Sequence, residues 1–129
     1  LIRGNHDGDW EDSDVPRIWE DVRDYLEIAP GYAKGHRLVM SHYPMLSWNG
    51  KARGAIMLHG HIHKSEDQVL VDRFSTETRA MMRKSAHQET AQPVPCQMIN
   101  CFCMYSDYTP LTLEEWVECD QRRRDKADR

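Results

Sequence analysis

The sequence has no long hydrophobic run, because its longest apolar stretch spans five residues. A helix that crosses a bilayer needs about 20 apolar residues, so we expect no membrane association. No basic stretch leads into an apolar segment near the start, so we expect no signal peptide and a cytoplasmic location. A large charge of one sign is missing too. With 21 acidic and 17 basic residues the net charge is −4, which disfavours nucleic acid as a partner except as a hydrolysable substrate.

Paired cysteine motifs are also missing, since the four cysteines form no C-x-x-C pair and no disulfide framework. We interpret them as buried thiols of a reducing compartment and disfavour a zinc site among them. Cys101 and Cys103 alternate in an apolar run over 98–104, so we expect a strand there with both thiols on one face. An initial methionine is missing as well. The chain opens on Leu1-Ile2, which is typical of the end of a buried strand, so we expect an N-terminally truncated part of one domain (1–129).

Hydrophobic patterning predicts strands and helices in alternation, which favours an α/β fold. Ser13 or Asp14 is placed to cap a short helix that contains Pro16, and Thr112 with Glu115 has capping-box spacing for a C-terminal helix over 112–126. Because its apolar stripe breaks at Asp120, we expect only its first two turns to pack, with the basic run 122–124 on a frayed end. The polar segment 64–95 is interpreted as a candidate insert that holds a helix over about 75–87. The remaining predicted strands are 25–28, 37–41 and 55–58.

Metal-ligating side chains follow three of the apolar runs. Gly4-Asn5-His6-Asp7 follows Leu1-Ile2, His42 follows the strand at 37–41, and Gly60-His61-Ile62-His63 follows the strand at 55–58. Ligands bind where loops converge at strand ends in open α/β sheets. In H-x-H spacing on an extended backbone, both rings lie on the same side. We expect Gly60 to let the backbone pass close to an ion.

Each of these segments also has an ordinary explanation. Gly4-Asn5 is compatible with a plain turn, and His42 with a hydrogen-bonded core histidine. The group of His59, His61 and His63 is compatible with a surface strand. The three segments in this order, each after an apolar run, favour a metal site over these explanations.

The motif set resembles the calcineurin-like metallophosphoesterases, in particular the small bacterial and phage members. That family has G-N-H-D/E, then a lone histidine, then G-H-x-H, as in Gly4–Asp7, His42 and Gly60–His63 here. The resemblance extends to Ile99-Asn100 and the C-terminal helix. It implies a β-sandwich flanked by helices and a centre of two divalent ions, with manganese, iron or zinc as candidates.

The resemblance also implies a role for each motif residue. Asn5, His42 and His61 would ligate one metal ion and His63 the other. His6 would face the scissile phosphate and protonate the leaving oxygen, with Asp7 holding its ring. His59 would lie outside the ligand set.

Two family motifs, D-x-H and G-D-x-x-D, do not occur ahead of G-N-H-D in this sequence. In the family they supply the remaining ligands and the bridging aspartate. We therefore expect the parent protein to hydrolyse phosphomonoesters or phosphodiesters, and this chain alone to be inactive. The alternative is a non-catalytic metal-binding or scaffold relative of the same fold. A structural zinc protein would need a closed four-ligand site, which these ligands do not form.

Overall fold

The computed structural model describes residues 1–8, 19–32 and 35–127. Six strands and two longer helices follow in chain order: β1 (Tyr25–Ile28), β2 (Leu38–Ser41), β3 (Ile56–His59), α1 (Glu66–Ala80), β4 (Met82–Arg83), β5 (Gln92–Pro93), β6 (Gln97–Asn100) and α2 (Leu113–Ala127). Short 3₁₀ turns lie at Pro30–Tyr32, Lys51–Arg53 and Cys103–Tyr105.

The main sheet is mixed and has the strand order β1-β2-β3-β6. β1 is antiparallel to β2, whereas β2, β3 and β6 are parallel to one another. The register pairs Leu38 with Ile56 and Leu58 with Ile99. Because these three strands are parallel, the loops after Ser41, His59 and Asn100 leave from the same end of the sheet.

Helices pack on the two sides of this sheet. Val39, Met57 and Met98 form one core cluster with Phe74 of α1, and Leu38, Ile56 and Ile99 form the other with three apolar side chains of α2 (Leu113, Trp116, Val117). These two sets alternate along the strands, as the two faces of a pleated sheet require. The predicted α/β class is confirmed as a small mixed α/β protein.

The strand prediction at 25–28 is confirmed, and those at 37–41 and 55–58 hold to within one residue at each end. The helix predicted over 75–87 is wrong, because α1 runs from Glu66 to Ala80. Its buried side chains are polar, namely Gln68, Ser75 and Thr78. A search for apolar periodicity therefore had little to detect. Within the segment predicted as an insert, α1 forms the crossover between parallel β3 and β6, and β4 pairs with β5.

The capping box at the start of α2 is confirmed. Glu115 Oε2 accepts from the N–H of Thr112 at 2.7 Å, and Thr112 Oγ1 accepts from the N–H of Glu115 at 3.4 Å. The expectation that only two turns pack is wrong. Asp120 is buried and binds Arg123 and Arg124 at 2.7 Å each, so charge pairing replaces the apolar stripe.

These arginines join α2 to α1 and to the edge strand β6. Arg123 binds both carboxylate oxygens of Asp72 at 2.6 and 2.8 Å, and Arg124 donates to the carbonyl of Met98 at 3.0 Å. The frayed basic end that the sequence predicted is therefore a packed ion-pair network. The guanidinium groups of Arg123 and Arg124 thus bind partners within the protein.

Two further expectations fail, and a third falls outside the described residues. Leu1-Ile2 forms no strand, only an isolated bridge from Ile2 to Arg23. The run predicted as a strand over 98–104 is paired only to Asn100, and Cys103 lies in the following 3₁₀ turn, so the two thiols do not share a strand face. The helix placed near Ser13 or Asp14 lies outside the described residues.

Among the described residues, no helix is long and apolar enough to cross a membrane.

Candidate functional site

The loops after β2 and β3 meet at the carboxyl end of the sheet. His42 directly follows β2, and its carbonyl accepts from the N–H of Gly60, just after β3, at 3.0 Å. The N-terminal loop joins them through a tight turn. In that turn, the carboxylate of Asp7 accepts from the N–H of Gly4 at 2.5 Å, and the N–H of Asp7 donates to the carbonyl of Gly4 at 3.2 Å.

Three donor atoms predicted as ligands of one ion lie close together at this point. His42 Nε2 is 2.8 Å from Asn5 Oδ1 and 3.1 Å from His61 Nδ1. His61 Nδ1 is 3.1 Å from Asn5 Oδ1. The three residues are far apart in sequence, so the fold assembles this cluster. We call it the Asn5–His42–His61 triangle.

No arrangement of protons satisfies all three edges of the triangle. An amide oxygen only accepts, so each histidine must donate to Asn5 to satisfy the two edges that meet there. The edge between His42 and His61 then sets one N–H against another. A cation at the centre would satisfy all three lone pairs at once. Ligand bonds of about 2.0–2.2 Å at right angles would separate adjacent donors by roughly 2.8–3.1 Å, which matches these edges.

Close packing at the triangle depends on Gly4. A Cβ on Gly4 would lie 2.7 Å from Cε1 of His42 and 2.8 Å from its Nδ1, too close for a real contact. A Cβ on Gly60 would meet His42 only at 3.8 Å. The sequence predicted that close packing needs a glycine at Gly60. The structure shows that the steric need for glycine is greater at Gly4.

The H-x-H segment is not extended. His61 has φ 60° and His63 has φ 48°, so both lie in the left-handed region that non-glycine residues rarely adopt. The expectation of two rings on one side of an extended backbone is wrong. Such backbone strain is concentrated at functional sites, where surrounding contacts hold it in place.

His63 has its own set of partners. Its ring stacks on Phe102, with centroids 4.4 Å apart and planes 17° from parallel. Its carbonyl accepts from Asn100 Nδ2 at 3.0 Å and from the hydroxyl of Tyr105 at 3.4 Å. The structure thus separates His63 from the triangle contacts, in keeping with its predicted role toward a different ion.

His6 and Asp7 lie beside the triangle. His6 is exposed, and its charge, like that of Asp7, acts on His42. The carboxylate of Asp7 supports the Gly4 turn, as described above. The second role of Asp7, holding the ring of His6, stays a prediction.

Electrostatics keeps His42 neutral. Burial lowers the pKa of His42, the neighbouring His61 lowers it further, and Asp7 opposes them. Neutral imidazole is the form that binds metal ions.

Burial likewise lowers the pKa of His59, whose Nδ1 donates to the carbonyl of Gly60 at 3.2 Å. Burial also raises the pKa of Cys101 to about 12, so the Cys101 thiol stays protonated.

Sequence reasoning missed Tyr43, whose ring lies 5.0 Å from His42 and 4.5 Å from His61. Its position directly after His42 was the only available signal. Trp48, by contrast, is buried and donates to the carbonyl of Ala55 at 2.9 Å, so it is a packing residue.

Across the described part of the chain, no group of three or more His, Cys, Asp or Glu side chains is placed to hold a metal ion. The triangle instead combines two imidazoles with one amide. No family model, curated protein or solved structure matches this chain.

Proposed function

We propose that this chain carries the Asn5, His42 and His61 ligands of a divalent metal site in a phosphoesterase. The triangle carries the proposal. A bound cation would satisfy its three contacts of 2.8–3.1 Å, whereas no placement of protons satisfies all three as hydrogen bonds. Edges this short correspond to right-angled rather than tetrahedral coordination. They favour manganese or iron over a closed zinc site.

A divalent ion, when bound, would act as a Lewis acid toward a phosphoryl oxygen. The residues of this chain would then orient the ester. His6 is exposed beside the triangle, where an imidazolium can donate to a phosphate oxygen and pass a proton to the leaving group. Asp7 would hold the ring of His6, and His63 would ligate the second ion of a two-metal centre.

The order of the motifs supports a calcineurin-like metallophosphoesterase with its β-sandwich as the parent protein. The parallel strands β2 and β3 deliver His42 and His61 to one end of the sheet, as that resemblance requires. A cytoplasmic location is part of the proposal, because all four cysteines are free thiols. The substrate class is a phosphomonoester or phosphodiester.

Binding of inorganic phosphate tests the proposal in this chain directly. With Mn²⁺ present, we expect the chain to broaden the ³¹P signal of phosphate more than Mn²⁺ alone does. His6→Ala should keep the Mn²⁺ but weaken phosphate binding roughly tenfold, the worth of one charge-assisted hydrogen bond. His36→Ala is the matched control, since His36 is an equally exposed histidine outside the site.

The non-catalytic alternative predicts a different result. A metal-binding scaffold would take up Mn²⁺ at the triangle yet leave the phosphate signal unchanged by His6→Ala. Phosphate broadening that is identical in the His6→Ala and His36→Ala variants would therefore contradict the phosphoesterase proposal while leaving the metal site intact.

A further inference from the structure

Asn100, at the end of β6, uses every hydrogen-bonding group of its side chain. It is 3% exposed. Its Oδ1 accepts from the N–H of Phe102 at 3.1 Å. Its Nδ2 donates to the carbonyl of His63 at 3.0 Å and to Gln68 Oε1 at 2.7 Å. One buried amide thus holds two loops and a helix.

The two loop residues held by Asn100 are the two members of the ring stack. His63 and Phe102 stack at 4.4 Å, and Asn100 binds the backbone of both. His63 also has a left-handed backbone, with φ 48°, a conformation that needs support from its surroundings. The amide therefore fixes both the backbone of His63 and the ring against which its imidazole rests.

A hydrogen-bond chain that begins at Asp72 and passes through Gln68 sets the orientation of the Asn100 amide. Asp72 is a carboxylate held by Arg123 at 2.6 Å, so it only accepts. Gln68 must then direct its NH₂ group to Asp72, at 2.9 Å, and its oxygen to Asn100. The Asn100 NH₂ group, in turn, faces Gln68 and His63.

We propose that Asn100 is a positioning residue for His63, which it holds with the imidazole stacked on Phe102 and presented at the carboxyl end of the sheet. The function of His63 as a metal ligand rests on the proposed function. The hydrogen-bond chain from Asn100 through Gln68 to Asp72 keeps the amide in the required orientation.

The test uses the NMR signals of the His63 ring in the full chain, assigned through a His63→Gln variant. In the wild type, the stacked Phe102 should shift the His63 ring protons upfield. Asn100→Asp keeps the acceptor for the Phe102 N–H but loses both donors. We expect the upfield shift to be lost and the ¹³Cα shift of His63 to leave its left-handed value.

A second pair of variants keeps the test decisive if Asn100→Asp does not fold. Gln68 and Ser75 are both buried on α1. Gln68 bonds to Asn100 at the end of β6, whereas Ser75 Oγ donates to the carbonyl of Cys96, directly before β6, at 3.2 Å. We expect Gln68→Ala to lose part of the His63 shift and Ser75→Ala to keep it.

An unchanged His63 shift in Asn100→Asp or, where that variant does not fold, in Gln68→Ala would overturn the proposal, as would an equal loss in Ser75→Ala. Adding Mn²⁺ to the same samples separates this question from the proposed function. If Mn²⁺ leaves the His42 and His61 signals sharp while Asn100→Asp removes the His63 shift, positioning by Asn100 is supported and the metal site is contradicted.

Discussion

At the scale of single residues, the site depends on how closely Asn5, His42 and His61 approach one another. His42 reaches both partners because a glycine lies beneath its ring. A side chain at Gly4 would occupy the position of the His42 imidazole. The G-N-H-D motif therefore supplies the space that the His42 ring needs at Gly4, in addition to the proposed ligand Asn5.

Gly4→Ala should lower the affinity for Mn²⁺ by about 10–100-fold, the usual effect of disturbing the support of a ligating histidine. The added methyl group would lie only 2.7–2.8 Å from two atoms of the His42 ring, so the ring would have to move. Isothermal titration with Mn²⁺ measures the change.

Gly31→Ala is the control for this prediction, because a Cβ there meets nothing within 4 Å and its φ is not positive. Gly60→Ala, with its nearest contact at 3.8 Å, should have a smaller effect than Gly4→Ala. Equal affinities in the Gly4 and Gly31 variants would show that the His42 ring does not need this space.

At the scale of secondary-structure elements, polar contacts hold the two helices as much as apolar ones do. α2 is anchored at its start by a capping box and at its end by ion pairs with Asp72 and Asp120. The capping box is a local signal and was predictable from two residues three positions apart in the chain, Thr112 and Glu115.

Thr112→Ala should destabilise the protein by about 1 kcal/mol, the typical cost of losing an N-cap side chain. The variant removes the acceptor for the N–H of Glu115. Urea unfolding followed by circular dichroism measures the difference. Ser47→Ala, an exposed substitution outside the helices, should leave the free energy of unfolding unchanged, and an equal loss in both variants would argue against the cap.

The ion pairs at Asp72 predict how stability depends on pH. Burial raises the pKa of Asp72, but the hydrogen bond and charge of Arg123 and the charge of Arg124 outweigh it and hold the pKa below its ordinary value. The folded state thus binds this proton more weakly than the unfolded state. The stabilisation is complete above a pH of about 4 and is lost as the pH falls through the lower folded value.

Asp72→Asn should therefore be less stable than the wild type at pH 7, and the gap should narrow as the pH falls below about 4. Urea unfolding at pH 7, 4 and 3 measures both free energies. Glu77→Gln, which affects an exposed ion pair with Arg73, should show little gap at any pH. A gap for Asp72→Asn that is constant across these pH values would contradict the assignment.

Elements that follow apolar patterning were predictable, and those that follow polar patterning were not. β2 and β3 matched their hydrophobic runs because both sides of those strands contact core clusters, whereas β1 contributes Ile28 to one cluster. The helix α1 was misplaced because its buried face carries Gln68 and Ser75, whose hydrogen-bond partners are Asn100 in β6 and Cys96 directly before β6. No local pattern reveals a partner that lies 20 or more residues away.

At the scale of the whole molecule, strand order explains what the sequence could not. Leu38–Met40 and Ile56–Leu58 do not form an exposed apolar edge, because β2 and β3 are inner strands paired on both sides. The edge strand β6 is instead covered by Arg124, which donates to the carbonyl of Met98. The residues of the proposed metal site could be chosen from their motifs. The triangle distances and the left-handed H-x-H segment required the tertiary structure.

The whole chain should hold one divalent ion rather than two, since three donors converge and His63 stands apart with Phe102 and Asn100. One ion leaves the attacking and leaving oxygens of a phosphate ester without the paired stabilisation of a two-metal centre. We expect negligible turnover of bis-p-nitrophenyl phosphate by this chain with Mn²⁺. Turnover of 1 s⁻¹ or more, at the lower end of about 1–10³ s⁻¹ for typical enzymes, would contradict this count.

The most direct test of the metal site is a Mn²⁺ titration of the 129-residue chain and its histidine variants, followed by calorimetry and by elemental analysis after desalting. The wild type and His87→Ala, an exposed histidine outside the site, should each bind one Mn²⁺ per chain. His42→Ala and His61→Ala should each lose that binding, because each removes one of three converging donors. Equal metal content in all four proteins would contradict the assignment of the triangle as a metal site.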